Sequence, residues 1–291
     1  MHKSIELDEQ SLIIKRGIGD REGEGNSLSR LGSCYAVLGN VHKAIEYYEQ
    51  ALSIAREINH RRGEEGRLSN LGNRYYELDD MRKSVEFHEQ ALIISREIGD
   101  RDGEASTLGN LGFAFLNIND YEKAMGNFIQ SIEIADEILY PIVQCEERWG
   151  LAQTYLLQND LVNAHATIEA ALQYDVPSNN HNATALHGII ALRQGERETA
   201  QEASTKSIAQ ADEILAKTPD YYDALDAKGL ALCGSAVSRE WGIGNSGERD
   251  GVVVEAMETF KRACKIAPHA GVVKSVLRLF DELVKCNEEG C

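Results

Sequence analysis

"SVEFHEQALIISREIGDRDGEA", Ser84–Ala105, is the stretch on which the fold turns. It repeats an earlier one, "AIEYYEQALSIAREINHRRGEE", Ala44–Glu65, which itself repeats "SIELDEQSLIIKRGIGDREGEG", Ser4–Gly25. The copies begin at residues 4, 44 and 84, an ungapped step of 40. Inside each copy apolar residues recur at three- and four-residue intervals, as in Ile45, Tyr48, Leu52 and Ala55, which is one face of a helix. The joint "GDRDGE" at 99–104 then supplies a glycine stop, followed by acids that suit the positive end of the next helix dipole.

Outward from these joints lies a second pattern. Leu28, Leu31, Tyr35 and Leu38 mark another helix face, and a short polar turn separates it from the copy that follows. In register stand Leu31-Gly32, Leu71-Gly72 and Leu111-Gly112, then Tyr35, Tyr75 and Phe115. Further on come Ala44, Ser84 and Ala124, then Tyr48, Phe87 with His88, and Phe128, then Ala51, Ala91 and Ser131. A fourth unit fits with Leu151-Ala152, Tyr155, Ala164, Ile168 and Ala171. A glycine inside a helix costs ~1 kcal/mol against alanine. Close approach of a neighbouring helix, leaving no room for a Cβ, is the compensating reason expected at Gly32, Gly72 and Gly112.

L-G-x-x-Y followed by A-x-x-x-aromatic resembles the tetratricopeptide repeat. The resemblance is strong over residues 24–174 and weaker beyond. A fifth unit, 182–214, keeps Gly188, Ala200 and Ser207 but has Ser204 where an aromatic is expected. A sixth, 220–268, keeps Gly229, Ala256, Phe260, Ala263 and Pro268, with Ser238–Gly251 as an insertion. The expected division is 1–19, the second helix of a truncated repeat; 20–178, four 40-residue units; 179–268, two divergent units; and 269–291, a capping helix and tail. That last amphipathic helix, 270–285, is expected to cover the apolar end of the stack. The resemblance implies an all-α fold, a right-handed superhelical α-solenoid of antiparallel helix pairs with a concave inner wall.

The 40-residue form with "REIGDRDGE" joints resembles two groups in particular. One is the Pins-type spindle-orientation scaffolds. The other is the C-terminal sensor arrays of NACHT/NB-ARC-like (STAND) signalling ATPases. In both, the repeats bind partners and catalysis sits elsewhere. Ser4–Gly25 reads as a second helix without its first, its Ile5, Leu12 and Ile13 face lacking a partner helix. The chain is therefore expected to be a sensor or scaffold segment of a larger signalling protein, with further repeats or an effector or ATPase domain upstream. The alternative is a stand-alone adaptor or G-protein-regulator-type scaffold.

The partner implied is a protein or an extended peptide. In the family, the first helix of each unit lines the concave wall. Its register here picks out Arg30 and Ser33, then Asn70, Asn73 and Tyr76, then Asn110, Phe113 and Asn117, and finally Trp149 and Gln153. Asn70 and Asn110 hold one register position, and a side-chain amide both donates and accepts, as a peptide backbone requires. Recurrence of "LGN" is equally explained by packing or descent. Tyr76, Phe113 and Trp149 read as ligand anchors, with core packing the competing reading for Phe113 and Trp149. A carboxylate clamp needs several basic residues on the wall, and only Arg30 stands there.

Composition agrees with a binding module. Charged residues make up 26% of the 291 and hydrophobic ones 43%, as in ordinary folded chains. The net charge of −17 argues against nucleic acid and anionic membranes. Residues 64–143 carry seven basic and sixteen acidic side chains, which favours a partner of some basic character or simply keeps a solvated face. Six irregularly spaced cysteines, none in a C-x-x-C pair, read as reduced thiols of a cytoplasmic protein. "GIGNSG" at 242–247 lacks the strand that a dinucleotide site needs. His42 and His88 read as lying on outer or inter-repeat faces of second helices. Neither a P-loop, an H-E-x-x-H motif nor a nucleophile beside a base is present, so no catalytic residue, metal site or cofactor is expected.

Overall fold

The computed structural model describes residues 2–238 and 246–289, and those residues form helices without a strand. In chain order these are α1 (His2–Ile18), α2 (Arg21–Val37), α3 (Val41–Glu57), α4 (Arg61–Glu77), α5 (Met81–Ile98), α6 (Arg101–Asn117) and α7 (Tyr121–Ile138). There follow α8 (Pro141–Leu157), α9 (Leu161–Ala171), α10 (Asn180–Arg193), α11 (Arg197–Lys217), α12 (Tyr222–Ser238), α13 (Ser246–Ile266) and α14 (Ala270–Glu289). The fold is all-α and built of antiparallel helical repeats. Even-numbered helices from α2 to α12 carry the small residue of the L-G register. They are the first helices of their pairs.

The joints explain the period. Gly19, Gly39, Asn59, Asp79, Gly99, Asn119, Leu139 and Asn159 all have positive φ, between 54° and 72°, and recur every 20 residues. Each is followed by a residue whose N–H bonds the carbonyl five positions back, as Asn40 does to Tyr35 at 2.9 Å and Asp100 to Ser95 at 2.9 Å. This closes a Schellman turn. The same residue caps the next helix: Asp20, Asn40, Asp80, Asp100 and Asp160 accept from the N–H three residues on. One turn thus ends one helix and starts another.

Charge locks the joints of residues 1–120. The Arg56 Nε lies 2.9 Å from Glu64, and Arg61 reaches the other oxygen of the same carboxylate at 2.7 Å. Arg96 and Arg101 hold Glu104 in the same way at 2.8 and 2.6 Å, and Arg16 and Arg21 hold Glu24. Arg61 also pairs with Glu97, tying α4 to the end of α5. At 136 the register inverts: Asp136 takes the arginine position, accepting from Gln144 at 2.9 Å and pairing with Arg148 at 2.6 Å.

Residues 1–120 and 121–291 form two compact units. In the first, α1 packs on α2, and its Ile5 and Leu12 are buried with Leu28, Leu31, Ala51 and Ile54. These two residues therefore do have partners, contrary to the sequence expectation, while Ile13 is 70% exposed. In two of this unit's pairs a ring of the second helix lies on the glycine of the first. A Cβ on Gly32 would sit 2.8 Å from the Tyr48 ring, and one on Gly72 would sit 2.6 Å from the His88 ring. His88 thus takes the aromatic register, buried inside its pair rather than facing outward. Phe87 instead stacks on Tyr75 at 5.3 Å, as Tyr47 does on Tyr35 at 5.4 Å.

In the second unit a Cβ on Gly229 would meet Phe260 at 2.8 Å, whereas at Gly188 the small Ser204 leaves 3.4 Å. One core joins Ala152, Ile168, Leu186, Ile190 and Leu230 with Leu279 and Leu283 of α14. The helix α14 rests on α10 and α12. Its apolar stripe settles on the first helices of the last two pairs, with Phe280 against Phe260 of α13. Of the expected insertion, residues 239–245 lie outside the described residues, as does most of "GIGNSG". Ser246–Gly251 are the first residues of α13.

Candidate peptide-binding face

Within residues 1–120 the first helices are α2, α4 and α6, and α4 touches α6 directly. Asn70 on α4 and Asn110 on α6 occupy the same register, each just before the leucine of L-G. Both are half-buried, and neither amide has a hydrogen-bond partner among the described residues. Asn73, one turn on, is half-buried and unpartnered in the same sense. Their neighbour Asn26 is different: its Oδ1 accepts from Arg67 at 2.7 Å. Burial holds the Arg67 guanidinium below its usual pKa. Tyr76 and Phe113 are half-buried beside this amide row in sequence.

The other expected positions are used differently. Arg30 is exposed, but its Nε donates to Asp8 on α1 at 2.6 Å and its Nη2 to Ser27 at 3.2 Å. The Ser33 hydroxyl donates to the Ser29 carbonyl at 3.1 Å and lies 2.9 Å from the Tyr48 hydroxyl. That contact follows from the glycine beside it, which draws the tyrosine ring in. Asn117 is 1% exposed and so presents no side chain to a ligand in solution.

Trp149 and Gln153 belong to the other unit. Trp149 is partly buried against the core of Ala152 and Leu186. Gln153 is 1% exposed, and neither of its amide atoms has a partner among the described residues. It is a buried polar group, not a surface contact.

Sequence reasoning missed the acids of this second unit. Glu146 and Asp223 each stand six residues before the small residue of the L-G register, the position of Asn26. Burial raises the Glu146 carboxyl, which accepts from the Asn179 amide. Glu147 is fully buried, and burial with the nearby Glu146 charge pushes it well above the usual carboxylate range. Burial also lifts Asp223 to about 6 and, with the Asp223 charge, Asp226 to about 7. A shared register was the signal available for the first two. Among the described residues, no three histidine, cysteine or carboxylate side chains gather to hold a metal. No described helix is long and apolar enough to cross a membrane.

The tetratricopeptide-repeat family model matches residues 1–57 and 66–137. No curated protein sequence matches. Solved structures share the fold at low identity. BtubC from P. vanneervenii is 21% identical with a TM-score of 0.63, the match covering 76% of this chain and 92% of that one. The Rap conjugation gene regulator of plasmid pLS20, solved with the Phr* peptide, is 15% identical at a TM-score of 0.63, covering 92% and 79%. A STAND protein with a tetratricopeptide repeat sensor from Pyrococcus horikoshii is 19% identical at 0.61, covering 83% of this chain but only 37% of its own length. Joints, glycine–ring contacts and family match agree: residues 1–57 and 66–137 are tetratricopeptide repeats, and the chain shares the fold of tetratricopeptide-repeat proteins.

Proposed function

We propose that the first-helix face of residues 1–120 binds an extended segment of a protein or peptide, with Asn70 and Asn110 bonding its backbone. The observation that carries this is the pair of half-buried, unpartnered amides in one register on touching helices. A polar group that loses water without a partner is costly, and a backbone N–H and C=O would offset that cost at both amides. Asn73 extends the row, and Tyr76 and Phe113 supply apolar flanks. The acidic excess of residues 64–143 favours a segment with basic residues. The peptide carried by the Rap regulator supports this mode of use in the same fold.

In this reading the chain has no catalysis of its own. It serves as the sensor or scaffold segment of a larger signalling protein, with an effector or ATPase domain upstream. The STAND protein supports that reading, since a matching array fills about a third of its length. A free-standing adaptor or G-protein-regulator-type scaffold is the second reading, favoured by a match that covers 92% of BtubC. Cys34, Cys145, Cys233 and Cys264 are free thiols, which suits a reducing, cytoplasmic setting.

The test is selection of a peptide from a displayed library on the full chain, followed by calorimetry on wild type and Asn70→Ala/Asn110→Ala. Loss of two backbone-directed amides should weaken binding at least tenfold, about 1.4 kcal/mol, with the circular dichroism unchanged. Equal affinity for both proteins would remove the amide row from the site.

A further inference from the structure

Two histidines stand where the other repeats keep apolar side chains. His187 comes just before the small residue of its first helix, a place held by Leu31, Leu71, Leu111 and Leu151 in the earlier units. His165 follows the small Ala164 of its second helix, where the earlier units have Ile45, Val85 and Met125. These two registers meet between neighbouring units. Ile45 of α3 and Leu71 of α4 belong to one buried cluster. The rings of His165 on α9 and His187 on α10 have centres 5.8 Å apart. An apolar contact of the array has become a contact between two imidazoles.

The exchange carries a cost. The Nδ1 of His165 and the Nε2 of His187 are both buried, and neither has a hydrogen-bond partner among the described residues. A polar atom withdrawn from water without a partner destabilises the fold. The rings are tilted at 58°, so stacking does not offset the loss.

An ion shared by the two rings would offset it. An imidazole on zinc has its ring centre about 3.2 Å from the ion, given Zn–N bonds of ~2.0–2.1 Å. Two such rings have centres about 5.2 Å apart at a tetrahedral angle and about 6.4 Å apart when opposed. The observed 5.8 Å lies inside that range. The surroundings fit as well. His165 Nε2 is 3.5 Å from a carboxylate oxygen of Glu169. A proton held on that nitrogen leaves the lone pair on Nδ1, the arrangement usual around ligating histidines. Burial, and then His165, holds His187 below its usual pKa, so it is neutral and able to ligate at pH 7. Glu169 and Glu196 act on its charge against one lysine, Lys206, a balance that suits a dication.

We propose that His165 and His187 bind one Zn²⁺ ion between the fourth and fifth units, as two protein ligands with water in the open positions. No third histidine, cysteine or carboxylate joins them among the described residues. The His165 side chain is 27% exposed, so water reaches the ion. Glu169 is a positioning residue for His165. Bound zinc ties α9 to α10 and stabilises the folded array by binding it in preference to the unfolded chain. The site lies in residues 121–291 and shares no residue with the amide row, so each proposal stands or falls alone.

The test uses the full chain stripped of metal by a chelator, with zinc chloride as the probe. Calorimetry compares wild type with His165→Ile/His187→Leu, whose new side chains are ones that earlier units carry in these registers. Wild type should bind one zinc ion more than the double variant. Each single variant should hold that ion at least tenfold more weakly, and Glu169→Gln about tenfold more weakly. Zinc should raise the unfolding temperature of wild type and leave that of the double variant unchanged. Equal stoichiometry in wild type and double variant would overturn the proposal and leave an adventitious ion only, on surface carboxylates and thiols. Unchanged affinity in Glu169→Gln would remove Glu169 from the site. Nuclear magnetic resonance supplies a test on wild type alone. The Cε1–H signals of both histidines should move over the same equivalent of zinc, and movement of one ring without the other would overturn the shared ion.

Discussion

A Cβ on Gly72 would lie 2.6 Å from the His88 ring, so this glycine and this histidine together set how closely α4 meets α5. His88 stands where other pairs place Tyr48, Phe128 and Phe260. Burial alone lowers its pKa from 6.5 to about 4. The folded protein therefore holds it neutral, while the unfolded chain takes up a proton below 6.5. Its contribution is complete above pH 6.5 and is lost as the pH falls toward 4, by up to about 3 kcal/mol. His88→Phe should stay within about 1 kcal/mol of wild type at pH 7 and lose less stability at pH 5. Urea melts at the two pH values measure this; parallel losses in both proteins would refute it. His181, also lowered to about 4 by burial, keeps its own share of acid sensitivity in the other unit.

Glycines of this chain should answer alanine with opposite signs. At Gly32 the new methyl would meet the Tyr48 ring at 2.8 Å, and overpacking of that kind costs ~1–3 kcal/mol. At Gly66 and Gly126, both inside helices, nothing lies within 4 Å. There the gain in helix propensity, up to ~1 kcal/mol, stands unopposed. Thermal melts of Gly32→Ala should fall, and those of Gly66→Ala and Gly126→Ala should rise.

Glu104 should act through its charge. Burial raises its pKa, but hydrogen bonds from Arg96 and Arg101 outweigh that and hold it below the usual value. A depressed carboxyl stabilises above its unfolded pKa and loses that contribution as the pH falls through its folded one. Glu104→Gln should cost about 1–2 kcal/mol at pH 7. The difference from wild type should close on acidification, as denaturation curves at stepped pH would show.

Leu139 is the misfit of the turn series, with φ +56° where the sequence elsewhere supplies glycine, asparagine or aspartate. A left-handed conformation costs a residue with a Cβ ~1–2 kcal/mol. The side chain is 78% exposed and gives little packing in return. Leu139→Gly should therefore raise the midpoint of thermal unfolding, and a fall would show that the leucine makes contacts worth more than its strain.

The helical pairs were legible because each carries two local signals, an apolar face and a joint. The L-G and aromatic registers also met as expected, since a missing Cβ and a large ring in one pair have few other uses. What the period could not show is non-periodic. Arg30 is taken by Asp8, an acid on another helix that no repeat rule points to. Asn117 and Gln153 look like polar wall residues in register, but burial is decided by what covers them, and both are 1% exposed. The stripe on α14 announced an apolar partner without saying which surface would receive it. Glu282 was the unread clue, because an acid inside such a stripe calls for a buried cation, and Arg193 is that cation.

The positive-φ turns return every 20 residues, half the sequence period of 40. The joints therefore do not distinguish first helices from second. An in-frame deletion of one helix with its joint would leave every turn able to close, yet each later glycine-bearing helix would move into the role of its ring-bearing partner. A deletion of two helices would restore every role. Gain and loss of repeats in this architecture thus has a natural quantum of a helix pair, imposed by the glycine–ring contacts and invisible to the turns.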